Sequence, residues 1–140
     1  MIYNNKIWIH YIETNNIKAI KYLLDNNLID INIQDNERWT PIMHALWNNK
    51  VNIIKLLLNY KDIDINHQDK FHNTILIYLI LLHKINIITL LLKNPDIDLF
   101  INKDNETSAL DYAKRLNDRK IINLLINYNR KQKLKLIIKS

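Results

Sequence analysis

Four side chains able to hold a metal or move a proton fall in one column of this 140-residue chain: His10, His44, Tyr78 and Tyr112 lie 34 positions apart. Imidazoles and phenols on neighbouring rungs of a ladder could ligate an ion or relay a proton if the rungs came close. If each rung is a helix, neighbours stand roughly 8–10 Å apart, so that His10 and His44 alone could reach one ion. Two ligands are too few for a structural zinc site, and partial burial beside aromatic neighbours is the plainer role. His67 and His72 flank Asp69, and Asp62 and Asp64 make a carboxylate pair. Both groups lie on turn-rich segments, whose backbone chemistry accounts for such residues without a metal or a catalytic acid. No Ser, His and Asp set has a spacing suited to nucleophilic catalysis.

Composition removes further chemistry. The chain contains no glycine, so a P-loop, a dinucleotide fingerprint and a nucleophile elbow are all excluded, because each needs a backbone without a Cβ. Cysteine is also absent, which rules out disulfides and thiolate metal sites. No enzymatic activity, cofactor or metal is expected. Isoleucine (27 residues) and asparagine (22) dominate, which reads as the bias of an AT-rich coding sequence rather than as a chemical signature. With 48% hydrophobic and 24% charged residues, the chain has the material for an ordinary folded core. Met1 to His10 lacks the charged start and unbroken apolar run of a signal peptide, and the run from Ile75 to Leu82 is too short to span a bilayer. A soluble protein of a reducing compartment is expected, either cytoplasmic or delivered to a host cytosol.

The elements that would position these residues come from a repeat. IIKLLL at 53–58, IITLLL at 87–92 and IINLLI at 121–126 recur with a 34-residue period, the mark of stacked supersecondary units. Thr40, Thr74 and Ser108 share a column and can each cap a first helix, with Pro41 at the first helical position after Thr40. The break before a second helix falls at Asn15, Asn49, His83 and Asn117, where a tight turn calls for a left-handed residue. That second helix, about Val51 to Tyr60 in one unit, is apolar at Val51, Ile53, Ile54, Leu56, Leu57 and Leu58, a stripe wide enough to be squeezed between neighbours. The links that follow, IDIN at 29–32 and 63–66 and IDLF at 97–100, alternate apolar and polar residues like short extended segments before a turn.

The motif at the capped helix stands as Thr40-Pro41-Ile42-Met43-His44-Ala45, then Thr74-Ile75-Leu76-Ile77-Tyr78-Leu79, then Ser108-Ala109-Leu110-Asp111-Tyr112-Ala113, with a degenerate copy at Lys6 to Tyr11. With its period, it resembles that of ankyrin repeat proteins. The resemblance implies an all-α, ankyrin-type solenoid of four helix-turn-helix units joined by short extended or hairpin links. The repeat domain would cover 1–129, in units of about 1–34, 35–68, 69–103 and 104–129, with a basic and apolar tail at 130–140. The family's motif histidine is replaced here by Ile9, Met43, Ile77 and Asp111, so its bond to the capping threonine is lost. Asp111 can instead reach back to Ser108 as a capping box. Trp8 aligns with Ile42, Leu76 and Leu110 and should be core.

Five of the net six positive charges lie between Arg130 and Lys139, whereas the links at 28–39, 62–73 and 96–107 are each net acidic. Leu134, Leu136, Ile137 and Ile138 in the tail are expected either to cover the exposed end of the last unit or to stay on a flexible end. The alternative use of this tail is binding a polyanion, nucleic acid or an anionic membrane. Ankyrin proteins hold partners on link tips and on the concave side of the first helix. Carried over, that implies contacts from Gln34, Asn36, Glu37, Trp39, Trp47 and Asn48 in the second unit. Gln68, Lys70, Phe71, Asn73, Leu81 and Leu82 follow in the third, and Lys103, Asn105, Glu106, Thr107 and Arg115 in the fourth. Trp39, Trp47, Phe71, Leu81 and Leu82 would make an apolar strip within an acidic rim. A non-enzymatic protein–protein interaction module is therefore expected, with a protein partner whose basic segment would match the acidic links, as a monomer; neither nucleic acid nor a membrane is the expected partner.

Overall fold

The computed structural model describes residues 5–101 and 107–139, and the chain divides into two compact units, Met1–Lys70 and Phe71–Ser140. The class is the expected one: eight helices and no strand among the described residues.

In the first unit, α1 (Asn5–Glu13) pairs with α2 (Ile17–Asp25) and α3 (Pro41–Trp47) with α4 (Val51–Leu57), while α1 lies on α3 and α2 on α4. Trp8, Ile12, Ile20, Ile42, Ile53, Ile54 and Leu57 are all but inaccessible to solvent, since each helix is squeezed by a neighbour on more than one side. Trp8 is core as expected, and its indole N–H donates to the Asp30 carbonyl at 3.0 Å. The helix expected to reach Tyr60 stops sooner, because its end tightens into three-residue turns: Asn59 N–H donates to the Leu56 carbonyl and Tyr60 N–H to that of Leu57.

The second unit repeats the plan with α5 (Ile75–Leu81), α6 (Ile85–Leu91), α7 (Ala109–Arg115) and α8 (Arg119–Lys139). Here α5 lies on α6 and α7, and α8 on α6 and α7. Ile75, Ile77, Leu79 and Ile80 of α5, Ile88 and Leu91 of α6, Ala113 of α7 and Ile121 and Leu125 of α8 fill its core. The last helix is 21 residues long and runs through the segment expected to be a separate tail.

Each helix pair turns on one residue in left-handed conformation: Asn15 (φ 53°), Asn49 (53°), His83 (52°) and Asn117 (53°). These are the four break positions read from the repeat. Three more left-handed residues were not foreseen: Asn27 at the end of α2 (52°), and Arg38 and His72, both at 60° and 34 positions apart in the links. The links themselves are turns rather than extended strands, fastened by side chains. Asn32 spans two of them in the first unit, donating from Nδ2 to the Asp62 carbonyl at 2.7 Å and accepting from Asp64 N–H at 2.8 Å. Tyr60 donates its hydroxyl to Asp25 at 2.7 Å. Burial, then this bond, pushes the phenol up to about 12.

The three hydroxyl residues do not cap alike. Thr74 Oγ1 accepts from Ile77 N–H at 3.3 Å, and Ser108 and Asp111 form a reciprocal capping box, with Asp111 N–H donating to Ser108 Oγ and Ser108 N–H to Asp111 Oδ2. The Ser108 hydroxyl and N–H hold the Asp111 carboxyl below its ordinary value. Thr40 stands at the cap position, but its oxygen makes no cap bond and is buried without a hydrogen-bond partner. That corrects the expectation of three equivalent caps; Met43, where the resembled motif carries histidine, has no polar group to offer it. A buried hydroxyl without a partner carries an unrecovered desolvation cost. Thr40→Val is therefore expected to raise stability by about 1 kcal/mol, and Thr74→Val to lower it by about 1 kcal/mol through loss of a cap. Urea denaturation of both variants checks this, and shifts of the same sign would contradict it.

Candidate functional site

The residues expected to meet a partner in the first unit surround α3. Pro41 starts this helix and its short length ends it at Trp47, whose side chain is 66% exposed. Behind Trp47 stands Trp39, edge-on to it with ring centroids 5.6 Å apart and also against His44 at 5.4 Å. Trp39 is fixed by two carboxylates: its backbone N–H donates to Asp35 Oδ1 at 2.8 Å, and its indole N–H to the fully buried Asp69 at 3.2 Å. Asp35 also accepts from Glu37 N–H at 2.9 Å and meets His44 Nε2 at 2.9 Å. Trp39 is thus half-buried and tied inward rather than displayed, because its polar edge needs a partner. Trp47 is the aromatic left open, braced by a neighbour that cannot swing.

Around this pair, Gln34, Asn36 and Glu37 are exposed on the link, Gln68 is half-buried, and half-buried Asn48 donates from Nδ2 to the His44 carbonyl at 2.9 Å. Lys70 is engaged with Glu37, through an ion pair of 3.4 Å and a backbone bond of 3.0 Å. The histidines go separate ways: His44 to Asp35, His67 Nε2 to the carbonyl of left-handed Arg38 at 2.8 Å, while His10 is exposed beside Tyr11. Among the described residues no group of three His, Asp or Glu could hold a metal ion.

In the second unit, Phe71 (54%), Leu81 and Leu82 are exposed. Asn73 is half-buried, 3.5 Å from the Tyr78 hydroxyl, Thr107 is half-buried and Arg115 exposed. Lys103, Asn105 and Glu106 lie outside the described residues. His83 meets Asp118 at 3.0 Å, and Asp118 is held below its ordinary carboxylate value, first by the Ile121 N–H and then by that histidine. A cleft of about 760 Å³ opens between the link at 95–100 and α8. At its floor the Tyr128 hydroxyl stands 3.0 to 3.1 Å from the carbonyls of Asn94, Pro95 and Ile97. Burial pushes this phenol up from its ordinary value. The clamps made by Asp69, Asn32 and Tyr128 escaped sequence reasoning; each joins residues about one period apart, a spacing that only an explicit stacking of the copies would have suggested.

Residues 4–69 match the family model described as ankyrin repeats, 3 copies. No curated protein matches the chain.

The two tryptophans should separate in stability. Trp39→Phe removes the indole donor from a buried carboxylate and is expected to cost about 1–3 kcal/mol, whereas Trp47→Phe should stay within about 0.5 kcal/mol of wild type. Chemical denaturation measures both; equal losses would show that Trp39 is not held through Asp69.

Proposed function

We propose that the chain is a non-enzymatic binding module, because its residues 4–69 match ankyrin repeats, which are in general protein–protein interaction modules and typically non-enzymatic. In this reading it holds a protein partner with a basic segment on the Trp47 face of its first unit. The observation that carries it is an exposed tryptophan braced edge-on by a second, hydrogen-bonded one. Such a pair is already ordered before binding, so little side-chain entropy is lost on contact. Exposed acidic residues of the same unit favour a cationic partner: Glu13 in the column of α1 that Trp47 holds in α3, and Asp30, Asp62 and Asp64 on the links. An arginine or lysine over the indole face would gain a cation–π contact. A monomer in a reducing cytosol belongs to the same proposal, in keeping with a chain without cysteine.

Capture of partners from native lysate on the wild-type chain and on Trp47→Ala, with affinities then measured for each captured protein, tests this reading. Trp47→Ala is expected to weaken the principal partner on the order of tenfold or more, and added salt to weaken it further. An unchanged set of partners with unchanged affinities would contradict it.

A further inference from the structure

We propose that the α8 segment Arg130–Lys139 is a second binding element, independent of the Trp47 face, that lies in the headgroup region of an anionic lipid surface. The helical phase decides this. The buried stripe of α8 runs Ile121, Leu125, Tyr128 and then half-buried Gln132, whose Nε2 donates to the Pro95 carbonyl at 3.2 Å. Continued, that stripe reaches Lys135, Leu136 and Lys139, which line the cleft together with Asp96 and Asp98. Of the four apolar residues expected to cover the end of the last unit, only Leu136 is on the cleft side, and it too stays exposed.

Leu134, Ile137 and Ile138 fall out of phase with the core. They are related as i, i+3 and i+4 and form one cluster on the opposite face, at 58%, 69% and 83% exposure. Lys133 flanks the cluster on one side and Lys131 on the other, with Arg130 one turn above Leu134; α8 contains no acidic residue at all. Three aliphatic side chains between cations are what an interfacial helix requires: the chains enter the acyl boundary while long basic side chains reach up to phosphates. A nucleic acid would use the charges but has no use for the aliphatics, and no aromatic is present in 130–139 to stack on bases. Self-pairing of this helix would bring two wholly basic segments together. No helix among the described residues is long and apolar enough to cross a membrane, so the contact is peripheral.

The test uses the 140-residue chain with phosphatidylcholine vesicles, with and without phosphatidylserine, and with duplex DNA at the same salt concentrations. Binding is expected to phosphatidylserine vesicles only, weakening as salt rises. Lys131→Gln with Lys133→Gln should weaken it on the order of tenfold or more, and Leu134→Ser with Ile137→Ser and Ile138→Ser should abolish it. All five positions are exposed, so an unchanged circular dichroism spectrum should show both variants folded. Four outcomes would overturn the proposal: no binding to anionic vesicles, binding that survives the triple serine variant, DNA binding as tight as vesicle binding, or a dimer in sedimentation equilibrium that the triple variant dissolves.

Discussion

A chain without glycine must still reverse direction between the two helices of every repeat, and this constraint governs the rest of the structure. It is met by residues whose Cβ tolerates a left-handed backbone: asparagine at 15, 49 and 117 and histidine at 83, all within a degree of φ 53°. In each case the next residue's N–H returns to a carbonyl of the preceding helix: Asn16 to Tyr11, Lys50 to Ala45, Lys84 to Leu79 and Asp118 to Ala113. That bond folds the second helix back on the first, and only then do the apolar stripes of α2, α4, α6 and α8 face a neighbour.

Once the helices are paired, polar side chains set the position of the links. In the first unit, Asn32, His67 and Asp69 each bridge to a residue about one period away, and the ring of Trp39 is one of the groups so fixed. The placement of the Trp39 ring is therefore a by-product of repeat closure. The same carboxylates that stop Trp39 from turning outward leave Trp47 exposed against a rigid support. In the second unit, the Tyr128 hydroxyl and Gln132 tie α8 to the link at 95–97, holding the basic end of that helix in a defined phase.

What repeats locally was legible in the sequence. The turn column, the core position of Trp8 and the Ser108–Asp111 capping box each depend on residues within a few positions of one another or on exact periodicity. What was not legible depends on contacts between copies. Trp39 reads as an exposed aromatic until Asp69 is placed beside its indole nitrogen, and Thr40 reads as a cap until its hydroxyl is found buried with no partner. The segment from Arg130 looked like a separate tail because its charge changes abruptly, yet charge does not stop a helix. Leu134, Ile137 and Ile138 looked like a cover for the core because they are apolar, yet the phase set by Ile121, Leu125 and Tyr128 turns them away. Left-handed Arg38 carried no residue-type signal, arginine being an unusual choice for that conformation, and so left its counterpart His72 unrecognised as a second turn column.

The turn constraint is tested most directly at Asn15 and Asn117, one in each unit, by denaturant titration of glycine and valine variants. Glycine, free of the Cβ clash, should leave the midpoint unchanged or raise it, while valine should lower stability by about 1–2 kcal/mol at each position. Equal stability of the glycine and valine variants would contradict the account, because the reversal between helices would then not depend on a left-handed residue.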